Sequence, residues 1–323
     1  MTYMAAEQSN LKKIHFGFLL TPNYSMMAFS SAIEPLRMAN YLAKKELYGW
    51  SIMTQDGNPV AASNGMKVYP DCSIEQSPKL DALFICSGIN VSESYNRGLK
   101  QVLVKFASHK VALGSLCTGA YLLARAGVLD GYKCTLHWEN IAGMREEFPR
   151  LEVTQDLFVI DRDRYTCSGG SASFDMMVQL MLSSHPNTPS TEISDYFMWG
   201  RIRGNNDNQR MPLELQLGTT NAKLVEAVAL MENNIEEPIN LEELSQFVGV
   251  SRRQLERIFR KYLDCVPTRY YMNLRLKHAH KLLRQTNKSI IEVALACGFV
   301  SAPHFSKCYR ELYGMAPQKE RQK

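Results

Sequence analysis

Residues 289–306 read Ser289-Ile-Ile-Glu-Val-Ala-Leu-Ala-Cys-Gly-Phe-Val-Ser-Ala-Pro-His-Phe-Ser306, and this stretch decides the architecture of the last third of the chain. Its first serine stands three residues before Glu292, the capping-box spacing that begins a helix. Gly298 follows the apolar run, at the place where helices end in a left-handed residue. Ser301 then begins a second helix. The pattern predicts a short helix, a turn and a recognition helix, which together are a helix-turn-helix unit.

The same arrangement occurs fifty residues earlier, where Asn240 and Ser251 each stand three residues before Glu or Gln. A longer helix between the two units, about 28 Å long at 1.5 Å per residue, would hold two recognition helices in successive major grooves, which are about 34 Å apart. The helices predicted for this region cover 241–248, 251–263, 268–285, 289–297 and 301–313.

Positive charge is concentrated in the same region. Lys and Arg outnumber Asp and Glu by 16 to 5 over residues 251–323, whereas before residue 219 they number 20 and 21. A single basic helix is explained as well by a solvated face, but two matched units predict binding to double-stranded DNA. The residues expected at base edges are Arg252, Arg253, Gln254 and Arg257 in the first recognition helix, and Ser301, His304 and Lys307 in the second. The residues expected on phosphates are Arg260, Lys261 and Arg310.

Residues 219–319 resemble the AraC/XylS family of transcription regulators. The resemblance is carried by residues 290–306, which are similar to the family's signature, and by Gly314-Met-Ala-Pro317. It implies transcription activation at direct-repeat or paired half-sites, with RNA polymerase as a partner. Pro303 departs from the family pattern, but proline is tolerated in a first helical turn, so the departure bears on local base readout and not on the fold.

The first two thirds of the chain alternate short apolar runs with helical stretches, which predicts an α/β layer structure with a mainly parallel sheet. The predicted strands are Ile14–Leu20, Tyr48–Thr54, Ala82–Cys86 and Val111–Leu116, and the predicted helices include Met26–Lys45, Ser94–His109 and Thr118–Ala126. The expected organisation is a loose tail over 1–12, an α/β domain over 13–200, a flexible linker over 201–220 and a DNA-binding domain over 221–319.

Cys117 lies in Leu113-Gly-Ser-Leu-Cys-Thr-Gly-Ala120, between a predicted strand and a predicted helix. A reactive residue on such a turn is typical of a nucleophile elbow. The N-terminus of the following helix is expected to lower the pKa of the thiol, and His137 could act as its base. An inert buried cysteine explains the same pattern.

Residues 13–185 resemble the flavodoxin-like sandwich of the class I glutamine amidotransferase-like fold, intracellular-protease subgroup, on the elbow, on His137-Trp138 and on Ser168-Gly-Gly-Ser-Ala-Ser-Phe-Asp175. Enzymes of that superfamily often carry an acid near the start of the first helix, where this chain has Ala28, which puts a complete catalytic set in doubt. The order of the two domains resembles the GlxA-like subfamily of AraC regulators.

The segment Pro22-Asn-Tyr-Ser-Met-Met-Ala-Phe-Ser-Ser-Ala-Ile-Glu-Pro-Leu-Arg-Met-Ala-Asn40 is similar to GlxA-like members that act in glycine betaine, dimethylglycine or carnitine catabolism. Such ligands need aromatic faces for the cation and backbone N–H donors for the carboxylate. The resemblance gives these candidate ligand-binding residues: Tyr24, Phe29, Glu34, Cys117, Thr118, Tyr121, His137 and Trp138. Core packing of the aromatic rings, and an ion pair of Glu34 with Arg37, are the alternatives.

The sequence therefore predicts a ligand-responsive transcription regulator, an activator and a homodimer, that is not an enzyme. A cysteine-dependent hydrolase or amidase fused to a DNA-binding domain, and an architectural DNA binder without a ligand, are the other candidates. No cofactor is expected, and the eight cysteines and seven histidines of the chain lack metal-ligand spacings. No apolar run approaches the roughly 20 residues of a membrane span and no secretion signal is evident, so a cytoplasmic protein is expected.

Overall fold

The computed structural model describes residues 12–205, 207–209, 213–286 and 288–320. The expected tail lies outside the described residues except at Lys12, as do positions 206 and 210–212 of the expected linker. The chain divides into two units, and the division falls after Gln209.

A seven-stranded sheet forms the centre of the N-terminal unit, in the order β10-β11-β7-β6-β1-β2-β5. All neighbouring strands pair in parallel except β10 and β11. Two further pairs, β3 with β4 and β8 with β9, lie outside it. The strands are β1 Ile14–Leu20, β2 Tyr48–Thr54, β3 Val60–Ala61, β4 Lys67–Val68, β5 Cys72–Ser73, β6 Ala82–Cys86, β7 Ala112–Leu116, β8 Lys133–Cys134, β9 Glu152–Val153, β10 Phe158–Asp161 and β11 Arg164–Cys167.

Helices cover both faces of this sheet, which is why the whole of β6 is buried and reads as a continuous apolar run. One core lies under α1 and α5 around Phe18 and Phe84, and the other lies under α2 and α3 around Leu83 and Ile85. The helices of this unit are α1 Met26–Ala43, α2 Arg97–Ser108, α3 Ala120–Ala126, α4 Ile141–Glu147, α5 Ala172–Ser184 and α6 Ser190–Tyr196. The predicted α/β fold with its mainly parallel sheet is confirmed.

Three of the four predicted strands have the predicted bounds, and the fourth begins one residue late, at Ala112. Helix α2 begins later than predicted because the side chain of Asn96 caps it, accepting a hydrogen bond from the backbone N–H of Leu99 at 2.9 Å. Residues 91–94, just before this cap, form a separate 3-10 turn.

Residues 199–205 and 207–209 are called the strap here, because they follow α6 and lie against α5 and the sheet edge. The fully buried carboxylate of Asp175 accepts hydrogen bonds from the indole of Trp199 at 3.1 Å and from the backbone N–H of Arg203 at 2.8 Å. The guanidinium of Arg203 approaches the same carboxylate at 2.6 Å and also donates to the Ser171 hydroxyl. Further along, the Gln209 amide donates to the Thr135 hydroxyl at 2.9 Å.

These contacts differ from the expectation of a flexible linker that begins at residue 201. The composition of the segment is that of a loop, but a carboxylate without exposed surface requires charged and hydrogen-bonding partners, and the loop supplies them. Its backbone also pairs with the sheet edge, since the N–H of Leu157 donates to the carbonyl of Asn205 at 2.9 Å.

All ten ends of the five helices predicted for the C-terminal unit agree to within one residue with the helices found. The capping boxes at Asn240, Ser251 and Ser289 all form. Gly249 and Gly298 both have a left-handed backbone, with φ of 71° and 70°. The helices are α7 Leu213–Gln216, α8 Ala222–Asn233, α9 Leu241–Val248, α10 Arg252–Leu263, α11 Pro267–Gln285, α12 Ile290–Ala296, α13 Ala302–Tyr313 and α14 Pro317–Glu320.

Each helix-turn-helix unit has its own apolar core, and α11 contributes to both. Tyr271 belongs to the first core with Leu255 and Phe259 of α10. Further along α11, Leu276 belongs to the second core with Phe305 of α13. The predicted all-α arrangement of two helix-turn-helix units is confirmed. Within the described ranges, no helix is both long and apolar enough to cross a membrane.

We predict that Arg203→Met lowers the free energy of unfolding of the N-terminal unit by about 3 kcal/mol, because the buried carboxylate of Asp175 loses its charged partner. Chemical denaturation followed by tryptophan fluorescence measures this change. Arg201→Met is the matched control, since Arg201 pairs with Asp207 in an exposed ion pair. Equal effects of the two substitutions would show that the strap does not depend on Asp175.

Candidate DNA interface and effector site

The first predicted recognition helix, α10, buries Leu255 and Phe259 and exposes its basic side chains. Two of the predicted base-reading residues already have intramolecular partners. The Gln254 carboxamide oxygen accepts a hydrogen bond from the Ser251 backbone N–H at 2.9 Å, which closes the capping box. The Arg252 guanidinium donates to the Glu256 carboxylate at 3.2 Å.

Arg253 and Arg257 are exposed and stand one helical turn apart on α10. Among the described residues, neither forms an intramolecular ion pair. Arg260 and Lys261, predicted on phosphates, are exposed in the last turn of the helix, and the Lys261 ammonium lies 5.0 Å from the centre of the Tyr262 ring. This helix therefore presents guanidinium groups to solvent along its length.

The second predicted recognition helix, α13, buries Phe305 and Tyr309 and exposes Lys307 and Arg310. The Ser301 hydroxyl caps the helix by accepting from the backbone N–H of the exposed residue His304 at 3.4 Å. The imidazole Nε2 of that histidine lies 3.4 Å from Cys308 Sγ. Pro303 stands in the first turn of the helix, where no backbone donor is missed.

In the N-terminal unit, Cys117 directly follows β7 with a strained left-handed backbone, φ 60°. Gly169 makes room for it, since a Cβ there would lie 2.6 Å from the Cβ of Cys117. The Thr118 hydroxyl donates to the carbonyl of Gly88 at 2.7 Å, and the backbone N–H of His137 donates to the carbonyl of Cys117 at 3.1 Å. The turn at 117–119, called the elbow below, thus touches segments that follow β6, β8 and β11.

The elbow thiol is not activated. The pKa of Cys117 is raised to about 11, mainly by burial, with a smaller contribution from nearby Glu139; the hydrogen bond from the backbone N–H of Thr118 acts in the opposite direction. The expectation of a lowered pKa was wrong because α3 begins only at Ala120, and desolvation of the thiolate outweighs the field of that helix.

We predict that iodoacetamide alkylates Cys117 in the native protein at least about a hundredfold more slowly than free cysteine at pH 8, because so little thiolate is present. Quantitative mass spectrometry of the peptide measures the rate. The rate should still be rising with pH at pH 9.5, since the pKa lies higher. A plateau below pH 9 would mean that the thiol is activated after all.

The eight candidate effector residues fall into separate places. Cys117, Thr118, His137 and Trp138 lie at or beside the elbow, and the rings of His137 and Trp138 are 5.6 Å apart. The backbone of Tyr24 pairs with Gly88 next to the elbow, but its ring is fully buried and meets the buried ring of Phe29 edge-on at 5.8 Å.

The other two candidate residues, Glu34 and Tyr121, are already engaged by side chains of the same unit. The Glu34 carboxylate forms an ion pair with Arg37 at 2.7 Å, the pairing that i,i+3 spacing predicts. The Tyr121 hydroxyl donates to the Glu147 carboxylate at 3.1 Å, and its half-buried ring packs edge-on against Phe148. Ala28, at the position where enzymes of the superfamily often carry an acid, is buried in α1.

A cavity of about 660 Å³ opens where β1 and β2 end. The side chains of Gln55 and Asn96 exchange two amide hydrogen bonds there, at 2.8 and 2.9 Å. None of its lining residues is among the candidates predicted from the sequence, although the carboxyl ends of parallel strands are the usual ligand edge of such sheets. Its polar lining includes Thr21, Thr54, Asp56, Glu75 and Glu93. In the described part of the chain, no three His, Cys, Asp or Glu side chains are grouped to hold a metal ion.

An α/β unit of this topology followed by paired helix-turn-helix units defines a DNA-binding transcription regulator. The DJ-1/PfpI family model matches residues 23–183, and a helix-turn-helix domain model matches residues 244–323. The chain belongs to the AraC-type helix-turn-helix regulators that carry an N-terminal DJ-1/PfpI domain.

Proteins of this arrangement match nearly the whole chain. The HTH-type transcriptional regulator GbdR of Pseudomonas aeruginosa is 51% identical over 95% of this chain and 83% of its own length. The HTH-type transcriptional regulator GlxA of Rhizobium meliloti is 32% identical over 97% of each chain. A crystal structure of an AraC family transcriptional regulator from Pseudomonas putida covers 57% of this chain and 99% of its own, with 28% identity and a TM-score of 0.52.

Proposed function

We propose that the chain is an activator of transcription whose N-terminal unit binds a small quaternary-ammonium or amino-acid-like metabolite. Glycine betaine, dimethylglycine and carnitine are the ligands that the resemblance to GlxA-like regulators suggests. The observation that carries the proposal is the elbow, a strained turn with a protonated thiol, built against loops from three other strands. Such an arrangement offers a shaped surface for binding without an activated nucleophile.

The contacts of Trp138 favour it as the aromatic face for a ligand cation, because it is half-buried beside His137 at the elbow. Tyr24 and Phe29 support the site from beneath, since their rings are in the core. The ligand stabilises one arrangement of the DNA-binding units over another and so changes transcription, which requires different affinities for the two arrangements.

We predict that glycine betaine, dimethylglycine or carnitine raises the melting temperature of the purified protein. At 100 times its dissociation constant a ligand stabilises the folded state by about 2.7 kcal/mol. Thermal shift against a panel that includes choline and common amino acids measures this. Trp138→Leu should abolish the shift, whereas Tyr69→Leu, at an exposed aromatic residue, should keep it. No shift with any quaternary ammonium compound would contradict the ligand class.

A cysteine-dependent hydrolase or amidase is the second candidate, since the left-handed backbone of Cys117 is the geometry of a nucleophile elbow. The raised pKa of the thiol and the position of Ala28 disfavour it. The named relatives are transcriptional regulators. Cys117→Ser separates the two, because it would abolish turnover by an enzyme but leave ligand-dependent DNA binding in a sensor.

On DNA, Arg253 and Arg257 are the residues best placed to bind guanine O6 and N7 from α10, because capping and ion pairing engage Gln254 and Arg252. In α13, Lys307 and His304 are both exposed base-reading candidates, whereas the Ser301 hydroxyl caps the helix. Arg260, Lys261 and Arg310 lie later in their helices and suit phosphate contacts. The protein acts as a homodimer on paired half-sites, contacts RNA polymerase and, as a regulator of chromosomal DNA, is cytoplasmic.

We predict that Arg257→Ala weakens binding to the preferred DNA by about 1–3 kcal/mol and relaxes the base preference at one position. Lys261→Ala should weaken binding to all sequences alike and lower the slope of log K against log salt by about one. Duplexes selected from a random pool by the wild-type protein, titrated at several salt concentrations, measure both effects. The same loss on every sequence with both variants would assign Arg257 to a phosphate.

A further inference from the structure

Arg275 reaches from the middle of α11 to the turn of the second helix-turn-helix unit. Its Nε donates to the carbonyl of Cys297 at 2.7 Å, and its Nη2 donates to the carbonyl of Gly298 at 2.6 Å. The guanidinium carbon also lies 4.3 Å from the centre of the Phe299 ring. The side chain is half-buried, and burial lowers the pKa of the guanidinium, so these contacts offset a desolvation cost.

The carbonyls that Arg275 binds are those of the turn itself. Helix α12 ends at Ala296 and α13 begins at Ala302, so Cys297 and Gly298 carry the negative end of the α12 dipole into the bend. The fork of the guanidinium binds two successive carbonyls at once, which a single hydrogen bond would not do. The orientation of α13 follows from the direction in which the chain leaves this bend.

The opposite side of the turn is closed by the segment between α8 and α9. A Cβ added to Gly298 would lie 2.5 Å from Pro238 and 2.8 Å from the carbonyl oxygen of Glu236. The left-handed bend is therefore confined between this segment on one side and Arg275 on the other.

The first helix-turn-helix unit has a cation at the corresponding place. The Lys223 ammonium, on α8, donates to the carbonyl of Val248 at 2.6 Å, at the last residue of α9 before Gly249. Lys223 also lies 3.3 Å from the Glu226 carboxylate. In both units a cation from a helix outside the motif holds the carbonyl end of the first helix.

We propose that Arg275 is a positioning residue for DNA binding, which sets the direction of α13 by holding the carbonyls of Cys297 and Gly298, and that Lys223 does the same for α10. The proposal rests on α10 and α13 being the recognition helices. We do not propose that Arg275 or Lys223 contacts DNA. Each affects DNA binding by fixing the turn whose carbonyls it binds.

The test compares full-length Arg275→Gln, Arg275→Lys, Lys223→Met and Lys307→Ala with the wild-type protein. The probe is a duplex selected by the wild-type protein from a random-sequence pool. Hydroxyl-radical footprinting shows which part of the site each variant still protects, and a titration gives its affinity. Thermal unfolding of each variant is recorded alongside.

We expect Arg275→Gln to lose protection over the part of the site that Lys307→Ala weakens, to keep the other part, and to bind at least about tenfold more weakly. Arg275→Lys keeps the charge but not the fork, so it should fall between wild type and Arg275→Gln. Lys223→Met should lose the complementary part of the footprint.

A complete footprint with unchanged affinity for Arg275→Gln would overturn the proposal. The proposal would also be overturned if Arg275→Gln lost both parts of the footprint and melted at a lower temperature while Arg275→Lys behaved like the wild-type protein. Arg275 would then contribute only a stabilising charge. If Lys307→Ala alters no part of the footprint, α13 is not a recognition helix, and the proposed DNA interface fails with the inference. If Lys307→Ala weakens one part and Arg275→Gln weakens none, only the role of Arg275 fails.

Discussion

The carboxylate of Asp175 has no exposed surface, and the cost of burying it decides where the N-terminal unit ends. It sits in the first turn of α5, six residues after Gly169, the glycine that accommodates Cys117. Since the sheet and its helices leave it without a cation, the chain returns after α6 to supply Arg203 and Trp199. The strap is therefore part of the core of the unit, although its sequence is that of a loop.

Two opposing physical effects set the pKa of the Cys117 thiol at the elbow. The N-terminus of a helix favours a thiolate, while burial disfavours it, and for Cys117 burial is the larger effect. Gly169 lets the surrounding loops close on the thiol, so the packing that holds the strained backbone also keeps the thiol protonated. The geometry of a nucleophile is thus present without its reactivity, which is consistent with a DJ-1/PfpI fold in a regulator.

The features that the sequence predicted well are those set by local chemistry. Capping boxes at Asn240, Ser251 and Ser289 fixed helix starts, and apolar runs fixed β1, β2 and β6, because both depend on neighbours within a few residues. The features that it missed depend on distant partners. The composition of the segment gave no sign that Arg203 pairs with Asp175. The spacing of Gln254 suits both a helix-capping and a base-reading role, and spacing alone could not distinguish the two.

Helix α11 links the two helix-turn-helix units in two distinct ways. Tyr271 lies in the first apolar core and Leu276 in the second, five residues later, so the same short stretch supports both. Arg275 lies between them and reaches the second turn, whose other side packs on the segment before α9. A rotation of α13 would therefore break contacts with α11 and with the first unit at once. The separation of the two recognition helices is a property of this packing as well as of the length of α11, and it constrains the spacing of the DNA sequences that they can contact together.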